Sequence, residues 1–270
     1  MNKNRKAAAL RACLAMLVAV GLLGGAGVAL AQEKPAAAPV APASEIKDER
    51  ALKRLQAMSD TLAGAKTLRF QYRGLLPVTG PTGQYVNLMA SASVVMQRPD
   101  RLRVQARGDL FPSDLFHDGK TVTVVAANPK VYAQREAAGS LVESFTRGPQ
   151  PGGDLVTPFI DLLATDPFAV LTRDLTSAIW VGQSKVGGVV TDHLAFTSKD
   201  VDWEVWIGAK DKLPRLMVVS YRVTGRQPTF TVELSDWKLN GAVPASTFTA
   251  AIPKGATRVE FKLQGPAAAK

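Results

Sequence analysis

The fold of this chain is decided by residues 192–221, DHLAFTSKDVDWEVWIGAKDKLPRLMVVSY. The stretch predicts three consecutive antiparallel strands separated by short polar turns, namely His193–Thr197, Val201–Ile207 and Arg215–Tyr221. On the middle strand, four apolar residues fall on one side and two acidic residues on the other: Val201, Trp203, Val205 and Ile207 against Asp202 and Glu204. This alternation with a period of two residues indicates a sheet with one buried face and one solvated face. The rest of the chain must therefore supply cover for the buried face.

The N-terminal residues 1–31 have the three-part pattern of a secretory signal peptide. A positive start is followed by an apolar run from Cys13 to Leu23, and small residues then lead to Ala31. We expect cleavage near Ala31 and a secreted chain, because no later segment reaches about 18 consecutive apolar residues, the length of a membrane span. Retention of this segment as a membrane anchor is the alternative. Cys13 is the only cysteine, so the cleaved chain would have no disulfide bond.

The charge balance argues against nucleic acid as a partner. The chain carries 33 Lys and Arg against 23 Asp and Glu, a net charge of +10. The cations are spread along the sequence, and no dense basic block with interleaved aromatic residues is present, so we expect no nucleic-acid binding. Weak attraction to anionic lipid or to an acidic partner is compatible with this charge.

Composition divides the chain into four parts. Residues 1–31 are the predicted signal peptide, residues 32–47 an Ala/Pro-rich linker, residues 48–262 one folded domain and residues 263–270 a flexible tail. The domain begins with a predicted helix, whose apolar residues recur at helical spacing and form one stripe. That stripe, which is typical of a helix packed against a sheet, consists of Leu52, Leu55, Met58 and Leu62.

Strand patterns dominate the rest of the domain. The segments Leu68–Arg73, Tyr85–Gln97 and Arg101–Arg107 alternate apolar and polar residues, and turn-forming residues separate them. In this register the polar side of the sheet carries five arginines: Arg69, Arg73, Arg101, Arg103 and Arg107. Two interpretations stay open for them. They form either a simple solvated outer face or a basic surface that binds a membrane or a partner.

The centre of the chain changes from strand patterns to helix patterns. After a flexible break at Gly148–Gly153, the segments Leu155–Ala164 and Pro167–Leu171 predict two short apolar helices, and Asp166 is placed to cap the second. A helical insert in a chain of strands covers an open end of the sheet or acts as a movable lid. Strand patterns then resume at Ala178–Val186, and Gly187-Gly188 predicts a turn into the next strand, Val189–Thr197.

Little in the sequence points to catalysis or to a cofactor. The two histidines are His117 and His193, no G-x-S-x-G nucleophile motif is present, and no residues have the spacing of a metal site. We therefore predict no catalytic residue, no metal and no cofactor. A weaker alternative is a hydrolase built around His193 and its neighbour Asp192.

Six short pieces occur in a particular order and spacing: Arg98-Pro99-Asp100-Arg101-Leu102, Asp118-Gly119-Lys120, Asp192-His193-Leu194-Ala195-Phe196, Trp206-Ile207, Leu213-Pro214-Arg215 and Ser235-Asp236-Trp237. With these pieces the chain resembles the LolA/LolB type of periplasmic lipoprotein carrier, and most closely an uncharacterised family of predicted periplasmic proteins. The resemblance implies a periplasmic location and an α+β, mostly β, fold. In that fold a strongly curved antiparallel sheet forms a half-open barrel wrapped around a few helices.

In proteins of that type, the space between sheet and helices is an apolar cavity that holds acyl chains. The resemblance therefore implies a non-enzymatic binding protein for a lipid or for the acyl chain of a lipoprotein, with no membrane span after cleavage. Eight residues are expected to line this cavity or the core beside it: Phe70, Val94, Phe159, Leu163, Phe168, Trp203, Val205 and Phe230. The alternative is an envelope sensor or protein-interaction module, which would bind a protein partner through the arginine side.

Overall fold

The computed structural model of the protein describes residues 46–80, 82–109, 112–126, 130–137, 139–146, 159–222 and 227–260. The predicted signal peptide, nearly all of the predicted linker and the predicted tail lie outside these residues. The predicted break at Gly148–Gly153 and the first residues of the predicted helix Leu155–Ala164 lie outside them as well. The division of the chain into four parts therefore stays a prediction.

Three α-helices and two 3₁₀ turns occur in the described residues. The α-helices are α1 (Glu49–Gly64), α2 (Leu141–Thr146) and α3 (Pro167–Leu171), and the 3₁₀ turns are Ile160–Leu163 and Ala245–Phe248. We refer to α2, the turn Ile160–Leu163 and α3 as the insert, because they separate two series of strands. None of the described helices is both long enough and apolar enough to span a membrane.

Twelve strands of the described chain form one sheet. They are β1 (Thr67–Thr79), β2 (Tyr85–Gln97), β3 (Arg101–Gly108), β4 (Ser113–Asp118), β5 (Thr121–Ala126), β6 (Val131–Glu136), β7 (Leu175–Val186), β8 (Val189–Ser198), β9 (Val201–Gly208), β10 (Pro214–Tyr221), β11 (Thr229–Leu239) and β12 (Thr257–Arg258). Their order across the sheet is β12-β6-β5-β4-β3-β2-β1-β11-β10-β9-β8-β7. Neighbours are antiparallel except β12 and β6, which are parallel. The curved sheet is open because its edges, β12 and β7, do not pair, which confirms the predicted mostly β architecture.

Residues 192–221 form three adjacent strands of this sheet, as their alternation predicts. The three predicted segments fall within β8, β9 and β10. Trp203 of β9 lies opposite Phe196 of β8 and Val219 of β10, and the rings of Trp203 and Phe196 stack with their centroids 4.1 Å apart. Trp203 is buried, whereas Glu204 on the opposite face is partly exposed. The prediction of one buried and one wetter face is therefore confirmed for this part of the sheet.

The turn between β7 and β8 also follows from the sequence. Val186 and Val189 are the closing pair of the two strands, and Gly187 and Gly188 form the two-residue connection. Both glycines have positive φ angles, 54° and 80°. A two-residue hairpin connection whose central residues both have positive φ matches the right-handed twist of the strands, and glycine adopts it without strain.

Helix α1 begins where the sequence provides a cap. The side chain of Asp48 accepts a hydrogen bond of 2.8 Å from the backbone N–H two residues on, which satisfies one of the free donors of the first turn. In the predicted apolar stripe, Leu55, Met58 and Leu62 are fully buried and Leu52 packs against them at the margin. The helix contacts β7, β8 and β9, so it lies on the apolar face of the sheet, as predicted.

The insert covers the same face next to α1. Phe159, directly before the 3₁₀ turn, packs edge-on against Phe70 of β1 with ring centroids 5.4 Å apart. Phe70 also stacks on Trp237 of β11 at 4.4 Å. These aromatic contacts join the insert to the centre of the sheet, where large side chains pack closely and contribute much of the buried apolar area.

Of the two helices predicted for the insert, only the second forms an α-helix in the described residues. In its described part, the segment Leu155–Ala164 forms only the 3₁₀ turn Ile160–Leu163, and no side chain caps that turn. Pro167–Leu171 is helical as predicted. Asp166 caps this helix, because its side chain accepts a hydrogen bond of 2.9 Å from the N–H of Ala169.

Residues 242–260, which we call the C-terminal strap, cross the outer face of the sheet. Their 3₁₀ turn contacts β3 and β4, and Phe248 in it is 2% exposed. The strap then runs beside β6, where the N–H of Thr257 donates to the carbonyl of Lys130 at 3.0 Å. Phe116 of β4 points to this side and is also buried. The outer face is therefore partly covered, which the strand alternation alone did not predict.

Candidate functional site

A cavity of about 340 Å³ lies between the insert and the far part of the sheet. One wall comes from the 3₁₀ turn Ile160–Leu163 and from α3 with the turn that follows it, and the other comes from β8 to β11. The lining residues are Ile160, Asp161, Leu162, Val170, Leu171, Arg173, Asp174, Ser198, Lys199, Asp200, Val201, Trp203, Met217, Val219, Tyr221 and Phe230. Its volume is within the range of about 300–1,000 Å³ that is typical of ligand pockets.

The floor of the cavity is apolar and continuous across three strands. Trp203 of β9 lies opposite Val219 of β10, which in turn lies opposite Phe230 of β11. Directly opposed residues of antiparallel strands point to the same face, so these three side chains form one row. Tyr221 meets Phe230 edge-on at 5.5 Å, and Met217 extends the floor along β10. Trp203, Met217 and Phe230 are each 5–6% exposed.

The mouth of the cavity carries charges of both signs. Arg173 and Asp174 follow α3 on one side, and Lys199 and Asp200 form the β8–β9 turn on the other. All four side chains are exposed. Asp174 has a φ of 56°, which turns the chain sharply from α3 into β7. The site therefore combines a buried apolar interior with a solvated, charged rim.

A second cavity, of about 290 Å³, lies at the other end of β9 to β11. Leu213, Leu234 and Trp237 line it together with a larger share of charged groups, including Asp211 and Arg215. These two charged residues form an ion pair with each other. The first cavity is the better candidate for an apolar ligand, because its deep residues are apolar and its charges are confined to the rim.

The eight residues predicted to line a cavity or core lie in three places. Trp203 and Phe230 line the cavity, and Phe168 packs, partly buried, at the margin of the core. The other five belong to the packed core: Phe70, Val94, Phe159, Leu163 and Val205. Sequence reasoning missed Met217 and Val219 as lining residues. The run Leu216–Val219 is apolar at every position, so no alternation in the sequence shows which of its residues face the cavity.

The five arginines predicted as a basic surface lie on the outer face, but most of them have partners. Arg73 pairs with Glu233 at 2.9 Å, and Arg103 and Arg107 share the carboxylate of Asp114 at 3.2 and 3.1 Å. Arg69 donates to the carbonyl of Ala242 in the C-terminal strap at 2.8 Å. Arg101 is partly buried at the start of β3. A role for this surface in binding stays a prediction.

Arg98 joins both helical covers to the sheet, and sequence reasoning did not single it out. Its guanidinium donates to the carbonyl of Leu62 in α1 at 3.0 Å and to the carbonyl of Leu163 in the insert at 3.3 Å. Its backbone N–H donates to the carbonyl of Lys66 at 2.9 Å. Burial lowers the pKa of the Arg98 guanidinium. A cation at these helix ends is favourable, because the free carbonyls there carry partial negative charge.

Asp192 and His193 do not form a catalytic pair, because consecutive strand residues point to opposite faces. Asp192 points towards α1, where it pairs with Arg54 at 3.0 Å and accepts a hydrogen bond of 3.0 Å from Gln183. Burial raises the pKa of Asp192, but the hydrogen bond from Gln183 and the charge of Arg54 outweigh burial and hold this pKa below its usual value.

His193 occupies the outer face instead. Its Nε2 lies 2.6 Å from Oε2 of Glu204, and its ring stacks on Trp206 with the centroids 3.9 Å apart. The distribution of Asp192 and His193 over two faces removes the geometric basis of the hydrolase hypothesis at this pair.

His117 has a serine neighbour, but its hydrogen bonds are wrong for a general base. Its Nδ1 accepts from the N–H of Gly119 at 3.1 Å, and its Nε2 lies 3.2 Å from Oγ of Ser144. With Nδ1 as an acceptor, the proton of the neutral ring sits on Nε2, which then donates to the serine rather than accepting from it. His117 is fully buried, and burial lowers its pKa. The pair therefore anchors α2 to β4.

A comparison with known protein families shows which family the chain belongs to. A family model described as "Predicted periplasmic protein (DUF2092)" matches residues 51–262. The chain belongs to this family. The predicted resemblance to an uncharacterised family of predicted periplasmic proteins is thereby confirmed.

Several solved structures are similar to this DUF2092 family member. An uncharacterized conserved protein from Thermus thermophilus has 12% identity and a TM-score of 0.45, over 79% of this chain and 98% of that chain. A LolA superfamily protein from Nitrosomonas europaea has 12% identity and a TM-score of 0.36, over 74% and 97%. The lipoprotein LppX from Mycobacterium tuberculosis has 15% identity and a TM-score of 0.40, over 74% and 100%. No curated protein matches the sequence.

Proposed function

We propose that this chain is a non-enzymatic periplasmic binding protein that holds the acyl chain of a lipid or lipidated molecule in the cavity between insert and sheet. The observation that carries the proposal is the apolar floor formed by Trp203, Val219 and Phe230. The N-terminal sequence pattern and the family description support the periplasmic location.

An apolar cavity binds an acyl chain without special chemistry. Each methylene that leaves water contributes about 0.8 kcal/mol, so ten of them contribute about 8 kcal/mol before the cost of ordering the chain and ligand. The walls supply the required surface, because Ile160, Leu162, Val170 and Leu171 face the strand residues across the cavity. The charged rim would keep the polar end of the ligand in water.

Loading and release require one wall to move, and the insert is the wall suited to this. Its described helices are short, namely α2 with 6 residues and α3 with 5. The opposite wall is part of a continuous sheet with backbone hydrogen bonds on both sides of β9 and β10. A lid of short helices opens with less loss of structure than a central strand. Carriage of the ligand between sites in the envelope would use this movement.

The test is uptake of a fluorescent fatty acid by the full chain, followed by displacement with unlabelled single-chain lipid. The proposal expects saturable binding close to one probe per chain and blue-shifted probe emission, because the chromophore enters an apolar site. Lipid extracted from freshly purified protein and analysed by mass spectrometry provides a second readout. A chain that binds no probe and carries no lipid would contradict the proposal.

A further inference from the structure

Side chains become small along β1, β2 and β3 on the face of the sheet that the helices cover. Phe70 lies opposite Val94, which lies opposite Val104, so these large side chains form one row. The next two rows on this face contain only one side chain larger than alanine, that of Tyr72. We call the other residues of these two rows the small-residue floor: Gly74, Ala90, Ala92, Ala106 and Gly108.

The small-residue floor is open to solvent towards β3. Gly74 and Ala92 are buried, Ala90 and Ala106 are half-buried, and Gly108 is exposed. A molecule can therefore reach the floor from its β3 end. Glycine within a strand marks a place where another group approaches the backbone closely, and two of the five floor residues are glycines.

The hydroxyl of Tyr72 points over this floor. It lies 3.4 Å from the place that a Cβ atom of Gly74 would occupy, and the Tyr72 ring meets Phe159 with the centroids 5.4 Å apart. Tyr72 is 4% exposed, and no atom in the described part of the chain forms a hydrogen bond with its hydroxyl. Burial raises the pKa of Tyr72. The hydroxyl therefore keeps its proton at neutral pH and is a buried donor without a protein acceptor.

The chemistry of the missing acceptor follows from these surroundings. A buried donor without an acceptor destabilises a protein and requires an explanation. A hydrocarbon chain offers no acceptor. A carboxylate or phosphate does, but the burial of a charge beside Phe159 and alanine side chains costs more than one hydrogen bond returns. The carbonyl oxygen of an ester accepts a hydrogen bond and carries no charge, so it fits both the hydroxyl and the apolar floor.

We propose that the small-residue floor binds an uncharged acyl ester and that the Tyr72 hydroxyl donates a hydrogen bond to the carbonyl oxygen of this ligand. None of the floor residues lines the cavity beside the insert, and neither does Tyr72. The floor is therefore a second binding site, and the inference goes beyond the proposed function.

The experiment compares two ligands that differ in one carbonyl group: monododecanoyl glycerol, an ester, and dodecyl glycerol, the corresponding ether. Each is titrated into the full chain below the concentration at which it aggregates. We expect the wild type to bind the ester about threefold to tenfold more tightly than the ether, which is the contribution of one hydrogen bond. In Tyr72→Phe this preference should disappear while the affinity for the ether stays unchanged. The infrared band of an isotope-labelled ester carbonyl should also move to higher wavenumber in this variant, because the carbonyl loses its donor.

Tyr132→Phe is the matched control. It removes the hydroxyl of a half-buried tyrosine on the outer face of the sheet, and it should keep both the ester preference and the position of the carbonyl band. The urea midpoint of the lipid-free chain gives a further readout. We expect Tyr72→Phe to keep or raise this midpoint, because the substitution removes a donor that has no acceptor.

Three results would overturn the inference. The first is an ester preference and a carbonyl band that are the same in Tyr72→Phe and in the wild type. The second is an equal loss of preference in Tyr72→Phe and Tyr132→Phe. The third is a clearly lower urea midpoint for Tyr72→Phe, which would show that the hydroxyl already has a partner within the protein. None of these results contradicts binding of an acyl chain in the cavity beside the insert.

Discussion

Asp192 carries a buried negative charge under α1 and links this helix to the last two strands of the sheet, β7 and β8. Besides Arg54 and Gln183, the indole N–H of Trp180 donates to it at 3.4 Å. Arg54 also lies over the Trp180 ring, with its Cζ 5.4 Å from the centroid. Two strands and one helix therefore meet at a single carboxylate. Removing its charge would leave Arg54 without its ion-pair partner.

We expect Asp192→Asn to lower the free energy of unfolding by about 1–3 kcal/mol at pH 7, because a partly buried cation loses its charged partner. The pKa of Asp192 is below its usual value in the folded state. Its contribution is therefore complete above the unfolded pKa of about 3.9 and disappears as the pH falls through the lower folded value. Urea unfolding between pH 3 and 7 measures both effects.

The matched control is Asp202→Asn, which removes an exposed pair with Arg222 at 3.2 Å. We expect a change of less than about 1 kcal/mol there, since exposed ion pairs contribute little. Equal losses in the free energy of unfolding for the two variants at pH 7 would contradict this role of Asp192. It would also be contradicted if the free energies of unfolding of the wild type and of Asp192→Asn became equal above pH 5 rather than below pH 4.

At the level of elements, Arg98 is the contact that holds α1 and the insert in place together. Arg98→Met keeps an unbranched apolar side chain but removes the guanidinium and with it both hydrogen bonds to helix carbonyls. We expect a loss of about 1–3 kcal/mol in the free energy of unfolding. We also expect faster hydrogen exchange in residues 159–171 than in β9 and β10, because the insert opens locally before the sheet does.

Arg101→Met tests whether this effect belongs to the two carbonyl contacts. It changes a neighbouring arginine that makes neither of them. Exchange in the insert should be unchanged in this variant. Equal acceleration in both variants, or no acceleration in Arg98→Met, would contradict the role of Arg98 as the link between the covers.

The C-terminal strap is the second element whose role follows from burial. Phe248, in the 3₁₀ turn of the strap, is 2% exposed, although the strap lies on the outer face of the sheet. Truncation of a large buried aromatic residue removes apolar contacts and leaves a cavity. We expect Phe248→Ala to lower the free energy of unfolding by about 3 kcal/mol or more. Ile252→Ala, at a strap residue that is 41% exposed, should cost less than about 1 kcal/mol. Chemical denaturation measures the free energy of unfolding of both variants. Similar losses in the two variants would show that Phe248 is not packed against the sheet as described.

The elements show what a sequence of this kind can predict. Strict alternation placed β9 correctly, because one face of this strand is buried. The polar turns on either side of β9 placed β8 and β10. Helical spacing placed α1, and the Gly187–Gly188 turn followed from local backbone chemistry. The packing of the strap was not predicted, because the strands that it covers, β3 and β4, are far away from it in the sequence. Phe116 was thus not recognised as buried on the outer face.

The candidate site was only partly predictable, for a physical reason. Phe70 and Trp203 are both large, apolar residues on inward-facing positions, yet Phe70 is packed between Phe159 and Trp237 while Trp203 borders the cavity. Nothing local in the sequence separates the two, because the difference lies in how closely the insert approaches each part of the sheet. The charges at the mouth come from two distant turns, and only the fold brings them together.

In the whole molecule, packed helices cover one face of the sheet and leave the cavity beside the insert open. α1 and the 3₁₀ turn of the insert fill the space above the centre of the sheet, whereas the ends of β9, β10 and β11 have empty space above them. We propose that this space above β9, β10 and β11 receives the acyl chain.

The most direct test fills the void. Met217→Trp enlarges a floor residue, and Val218→Trp introduces tryptophan at the next residue, which points to the outer face. Titration of each full-length variant with a twelve-carbon single-chain lipid, followed by native mass spectrometry, gives the affinity and the stoichiometry. We expect one lipid per chain for the wild type and for Val218→Trp, and at least about tenfold weaker binding for Met217→Trp, since a loss of about 1.4 kcal/mol is tenfold. Equal binding by all three proteins would contradict the proposed function of the cavity.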